Sequence, residues 1–284
     1  MIPVALCADD YGLSPGVDEG ILALAEARRI TAFSCITASP RWEESARQIK
    51  QLSGSVDIGI HFTLTQLAPL GSMPRTAPAG KFPAMNRLYM QAVTRMLDLD
   101  EISQELGRQL SAFTEATGRE PDFLDGHHHV HQLPGVRDVV TRLWGKRGWV
   151  RNTATSPSRV IARGIARPRA TVLAAFGAAA RRTWRAAGIA TNSDFAGVRN
   201  FDEPGSYRPL MVRYLQDAQS GLLIMCHPGR ADARLAEIDH VTGAREQELA
   251  YLRSEDFSAD LRTAGCELAR LSELAGRSSS CGAD

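Results

Sequence analysis

Residues 3 to 15 read Pro3-Val4-Ala5-Leu6-Cys7-Ala8-Asp9-Asp10-Tyr11-Gly12-Leu13-Ser14-Pro15, and Gly16-Val17-Asp18-Glu19-Gly20-Ile21 follows. The apolar run at 4–8 has the length of a buried strand and ends on two aspartates and a turn. Ser14-Pro15 then looks like an N-cap with proline at the first helical position. Asp18 and Glu19 stand where a helix dipole favours negative charge, and the helix is expected to run to about Arg29. A strand followed by a helix is the unit from which parallel sheets and barrels are built.

The same unit recurs outward from this stretch. Short apolar runs at 32–38, 57–64, 123–125, 149–152, 189–194 and 222–226, with a weak one near the carboxyl end, alternate with helical patterns. Residues 100–117 carry Ile102, Leu106, Leu110 and Phe113 as one apolar stripe of an amphipathic helix. Seven or eight units predict an α/β barrel with a mostly parallel sheet, a single domain over residues 1–276, and a disordered tail over 277–284.

Composition narrows the class of function. The chain has 284 residues, 44% hydrophobic, and its net charge of +1 and aromatic content of 6% argue against a nucleic-acid partner. Five cysteines without a CxxC pair argue against a disulfide framework. The first residues lack the basic stretch of a secretory signal, so a cytoplasmic location is expected. No uncharged apolar run reaches the roughly 18 residues that span a bilayer.

Two segments break the pattern. Residues 65–86 contain Pro69, Gly71, Pro74, Pro78, Gly80 and Pro83, which predicts a long irregular loop of the kind that flaps over an active site. Between Asp138 and Asp194 stand eleven Lys and Arg and no Asp or Glu. Residues 159–187 of this stretch are expected to form a basic helical face, either solvated or in peripheral contact with anionic lipid. A homo-oligomer is expected.

Chemistry-bearing residues collect at predicted strand ends, where parallel barrels gather their catalytic groups. Asp9-Asp10 ends the first strand, His61 lies in Gly59-Ile60-His61-Phe62, and Asp125-Gly126-His127-His128-His129-Val130-His131 ends the run at 123–125. One aspartate and two histidines make a divalent-metal triad with positions left open for water and substrate. If the last segment stays extended, His127, His129 and His131 share one face, and spacing alone does not choose among them. Adjacent aspartates at a strand end diverge, so Asp10 is expected to bind the metal and Asp9 to act as general base. His227, in Cys226-His227-Pro228-Gly229, is a candidate to protonate a leaving amine. Arg151 is expected to orient an aspartate, and Asp125 to hold a histidine ligand in its tautomer.

Four motifs in order, residues 8–14, 59–65, 124–131 and 226–229, resemble those of the YdjC-like carbohydrate deacetylases, a family that includes chitooligosaccharide deacetylases and a hopanoid-biosynthesis protein. The resemblance covers about residues 3 to 270. It implies a distorted (β/α) barrel that removes N-acetyl groups from amino sugars with one divalent metal ion, zinc or magnesium. By motif it implies Asp10, His61 and His127 as ligands, Asp9 as base and His227 as a catalytic histidine across the pocket. The substrate expected is a small-molecule or lipid-linked N-acetyl sugar. Two alternatives stay open: a metal-dependent glycosidase or phosphoesterase, with His129 and His131 holding a second metal, and a non-catalytic sugar- or lipid-headgroup-binding protein.

Overall fold

The computed structural model describes residues 1–50, 52, 54–201 and 205–274; the tail expected over 277–284 lies outside them. Eight strands form one sheet: β1 (Ile2–Tyr11), β2 (Ala32–Cys35), β3 (Asp57–Phe62), β4 (Phe123–Gly126), β5 (Trp149–Val150), β6 (Asp194–Ala196), β7 (Leu222–Cys226) and β8 (Cys266–Leu268). Their order is β5-β4-β3-β2-β1-β7-β6, with β8 beside the start of β1, and every pairing is parallel. The helices are α1 (Pro15–Glu26), α2 (Trp42–Ile49), α3 (Met85–Val93), α4 (Leu99–Thr117), α5 (Val136–Trp144), α6 (Pro157–Arg163), α7 (Arg167–Ala186), α8 (Arg208–Leu215), α9 (Ala233–Ile238), α10 (Gly243–Arg253) and α11 (Glu255–Thr263). The strands read as continuous apolar runs because their central members are buried on both faces.

Local chemistry sets the element ends. The Asp98 carboxylate accepts from the Glu101 N–H at the start of α4, Gly118 ends it in the left-handed region, and Ile102, Leu106, Leu110 and Phe113 are all buried. Ser14 caps α1 as its sequence implies, but Asp18 does more than answer the helix dipole. It is buried, and its carboxylate accepts from Gly12 N–H at 2.5 Å, Ser45 Oγ at 2.6 Å and Arg41 Nη1 at 3.0 Å, which pins the turn after β1.

The sheet curls until its ends meet at one seam, and there the strands depart from expectation. Val150 bridges Thr191 in parallel, and its N–H donates to Ala190 O at 2.8 Å. Beyond that bridge two side chains replace the ladder. Asn152 N–H donates to Asn192 Oδ1 (2.8 Å), Asn152 Nδ2 to Asn192 O (3.0 Å) and Asn192 Nδ2 to Asn152 O (2.8 Å). The run expected at 149–152 is therefore a strand for two residues only. The run expected at 189–194 becomes regular only at Asp194, where pairing with Leu222 begins.

The two irregular segments also acquire contacts. Within 65–86, Met73, Ala77 and Phe82 are buried against Phe62, Leu64 and Leu88, and Glu101 accepts from the N–H groups of Arg75 and Thr76. These contacts anchor the expected flap at a few buried positions, while more than half of its residues are exposed. The basic segment folds as α6 and α7, and several of its arginines serve the seam. Arg159 and Arg163 pair with Asp194 at 3.1 and 2.7 Å, and Arg181 Nη2 donates to the carbonyls of Ala154 and Ser193. No helix among the described residues is long and apolar enough to cross a membrane.

Candidate active site

A β-bulge lets both aspartates face one cavity. Ala8 pairs with Phe33 and Tyr11 with Cys35, so Asp9 and Asp10 together stand opposite Ser34 alone. Asp10 takes φ +75°, a conformation that costs a side-chain-bearing residue energy. The added twist re-aims the second aspartate, as bulges beside active sites do. Adjacent aspartates need not diverge, and both line a cavity of about 350 Å³.

Asp10, His61 and His127 come together there. Asp10 Oδ1 lies 3.3 Å from His61 Nε2 and 3.0 Å from His127 Nδ1, and one donor atom from each residue lies within 4.8 Å of the others. Each ring is oriented from behind. His61 Nδ1 is 2.5 Å from Asp125 Oδ1 and 2.9 Å from Ser34 Oγ, so Nδ1–H donates to the carboxylate and Nε2 faces Asp10. His127 Nε2 is 2.6 Å from Gln66 Oε1, which leaves Nδ1 facing Asp10. Two imidazole lone pairs and a carboxylate oxygen are a donor set suited to a single divalent ion.

The electrostatics favour a cation at this point. Burial raises the Asp10 carboxyl, but Arg245 and His127 outweigh it and hold the group well below the usual carboxylate range. Burial opposes a charge on His61, yet Asp125 and Asp10 push its imidazole up to about 10. The carboxylates thus stabilise positive charge between them, and a divalent ion supplies it as a proton does.

Arg151, buried one residue past β5, ties the two carboxylates behind the triad. Its Nη1 donates to Asp9 Oδ2 at 2.6 Å, and its Nη2 reaches Asp9 Oδ1 (2.5 Å), Asp125 Oδ2 (2.6 Å) and Cys7 Sγ (2.9 Å). A second cluster, Cys7 with Asp9 and Asp125, is close enough to hold an ion, but this guanidinium already contacts all three side chains. His227 faces Asp9 from β7 with Nε2 4.0 Å from Oδ2, and Phe201 stands edge-on to its ring. Burial lowers the His227 imidazole to about 4, so its resting form is neutral.

The histidine run does not stay extended. It leaves β4 at Gly126 and winds through His127–Gln132, with His128 and His129 at φ +52° and +59°. Only His127 reaches the triad. His128 Nδ1 meets Thr65 Oγ1 at 2.9 Å, His129 stands edge-on to Phe195, and His131 stacks on Trp184 with Nε2 2.9 Å from Arg151 O. Among the described residues, His129 and His131 join no cluster that could hold a second metal.

Sequence reasoning missed five residues of the site. Arg245 Nη2 donates to Asp10 Oδ2 at 2.6 Å and to Asp239 Oδ2 at 2.7 Å. Glu248, pushed up to about 7 by burial, accepts from His227 N–H at 2.5 Å and pairs with Arg199 at 3.2 Å. Gln66 lies behind His127. In Gly243-Ala244-Arg245-Glu246-Gln247-Glu248 the charges read as a solvated helix face, and nothing local marks two of them as buried.

Curated relatives include chitooligosaccharide deacetylases of Enterobacter sp. (strain 638), 33% identical over 141 residues, and of Salmonella paratyphi B, 35% identical over 144. Each alignment covers 50% of this chain and 55% of the relative, so the chain spans about half the length of the curated relatives it matches. Among solved structures, a candidate cellobiose-phosphate cleavage protein from Enterococcus faecalis V583 superposes with a TM-score of 0.72 at 21% identity, covering 96% of this chain and 98% of that one. The Xyl-CE4 domain of a multidomain xylanase from the hindgut metagenome of Trinervitermes trinervoides does so with 0.52 at 11% identity, covering 98% and 91%. These two likenesses bear on the fold. The model of the YdjC-like proteins matches residues 3–263, and the chain belongs to that family.

Proposed function

We propose that this chain is a metal-dependent hydrolase that removes the N-acetyl group from an N-acetylated amino sugar, a chitooligosaccharide or a lipid-linked glycan, and releases acetate. The observation that carries the reading is the convergence of Asp10, His61 and His127 in one cavity, beside an Asp9 carboxylate that Arg151 holds apart from them. Family membership and relatives named as deacetylases support it. When bound, one zinc or magnesium ion would polarise the acetamide carbonyl and acidify the attacking water.

The chain's own residues then move the proton. Asp9, gripped through both oxygens by Arg151, accepts it from the water as the carbonyl carbon is attacked. His227 starts neutral with Nε2 4.0 Å from Asp9 Oδ2, a gap that one intervening water would bridge, so the proton is relayed to its imidazole and passed on to the departing amine nitrogen. The C–N bond breaks, and acetate and a free amino sugar leave. A histidine that begins as imidazolium, the form a proton donor first suggests, is not needed.

The test is acetate release from N,N'-diacetylchitobiose and related N-acetyl sugars under a series of divalent metals. Asp9→Asn is expected to be slower by about 10²–10⁴-fold with metal binding retained. Equal rates for the two proteins would remove Asp9 as the base. Sugar binding without turnover under any metal would favour a non-catalytic binding protein. The buried, unpaired Cys7, Cys35, Cys226 and Cys266 support a reducing, cytoplasmic location.

A further inference from the structure

Gln66 follows the end of β3 by four residues, and its backbone is strained. Its φ is +71°, and Leu67 N–H donates across it to Thr65 O at 2.8 Å, a three-residue turn that side-chain-bearing residues seldom adopt. Strain of this kind persists where the surroundings impose it, often at functional sites.

The side chain makes two directed contacts. Oε1 lies 2.6 Å from His127 Nε2, and Nε2 donates to Ile238 O at 2.8 Å. The Ile238 carbonyl only accepts, so the amide nitrogen must face it and the amide oxygen must face His127. An amide oxygen also only accepts, which places an imidazole proton on Nε2 and makes Nδ1, 3.0 Å from Asp10 Oδ1, the nitrogen that would face a metal ion. Arg245 acts in parallel on the other candidate ligand. From Asp10 it reaches Asp239 Oδ2 through Nη2 and Val241 O through Nε at 3.0 Å. Both ligands are thereby fastened to the same stretch, 238–241, where α9 passes toward α10 and where Asp239, His240 and Val241 wall the cavity.

We propose that Gln66 is a positioning residue with two functions: Oε1 fixes the His127 tautomer that binds metal, and Nε2 fastens the 238–241 wall of the substrate cavity to the metal centre. The inference rests on the metal-site reading above. Metal binding orders His127, His127 holds Gln66, and Gln66 holds Ile238, so loading of the site and the shape of the cavity wall are linked.

Cobalt(II) is the probe, because its visible absorption reports coordination without turnover. The full chain and two variants are titrated, and amide exchange at 238–241 is followed with and without cobalt. Glycine tolerates φ +71°, so Gln66→Gly removes the side chain without adding backbone strain. It is expected to bind cobalt about 10–100-fold more weakly and to lose cobalt-dependent protection of 238–241. Gln66→Glu keeps an acceptor toward His127 and has no donor for Ile238. It is expected to bind cobalt as wild type does while the protection of 238–241 is lost. Wild-type affinity and protection in Gln66→Gly would overturn the inference and leave the metal site standing. Gln66→Glu binding as weakly as Gln66→Gly would overturn the tautomer role. A wild-type chain that binds no cobalt would remove the metal reading and this inference together.

Discussion

Replacing Arg151 with methionine tests the charge design of the site without touching a candidate metal ligand. The guanidinium is fully buried and contacts both Asp9 and Asp125 at 2.5–2.6 Å, so its removal leaves two buried carboxylates without their shared cation. Breaking a buried ion pair from one side costs about 3–5 kcal/mol. At roughly 2–4 °C per kcal/mol for a chain of this size, the melting temperature should fall by about 6–20 °C. The loss should also depend on pH. Burial raises the Asp125 carboxyl, while Arg151 and His61 outweigh it and hold the group below its ordinary value. A depressed carboxyl contributes stability above an unfolded pKa near 4, and that contribution is lost as pH falls through the folded value. In Arg151→Met burial loses its main opponent, the acid cluster takes up a proton at higher pH, and the penalty fades on acidification. Melting curves in chelator should therefore show a smaller gap between variant and wild type at pH 5 than at pH 8. A gap that is equal at both values, or that corresponds to less than about 1 kcal/mol, would refute the reasoning.

Three further outcomes can be checked. In Gly59→Ala the new Cβ would lie 2.5 Å from the Phe123 ring, which stacks on Trp149 at 4.0 Å and has little room to retreat. A loss of about 1–3 kcal/mol is expected from the urea midpoint, and an unchanged midpoint would contradict the packing described. His61→Ala should weaken zinc binding, measured by dye competition, by more than the roughly 10–100-fold typical of losing a supporting residue; wild-type affinity would exclude His61 as a ligand. Vesicle co-sedimentation decides between the two readings of the α6–α7 surface, where Ile161 and Val172 are exposed: stronger binding to anionic than to neutral vesicles would favour the lipid contact, and equal binding the solvated face.

The barrel and the gathering of the site were legible because both are written locally. Apolar runs of strand length, the Ser14 cap and the stripe of α4 each follow from a few neighbouring residues. Asp9, Asp10, His61, His127 and His227 line one cavity because each stands at or just past a strand end, and Arg151 and Asp125 support them from behind. What stayed hidden depends on partners far apart in the chain. Arg245 meets Asp10 across 235 positions, and its helix gives no local sign that the residue is buried. The bulge at Asp9-Asp10 depends on pairing with β2, so the sequence of β1 alone could not show that both aspartates face inward. The extended reading of the histidine run failed because His128 and His129 adopt a left-handed backbone that propensity does not favour.

The asparagine pair at the seam serves as an index mark. Elsewhere in the sheet, register follows from which residues are apolar, and neighbouring apolar positions are chemically alike. Asn152 and Asn192 are different, because each presents an amide that matches the other's backbone in only one alignment. Arg151 is the residue immediately before Asn152. The pair that closes the barrel therefore sets where along β1 the guanidinium arrives, and a slip of one position at the seam would carry it past Asp9.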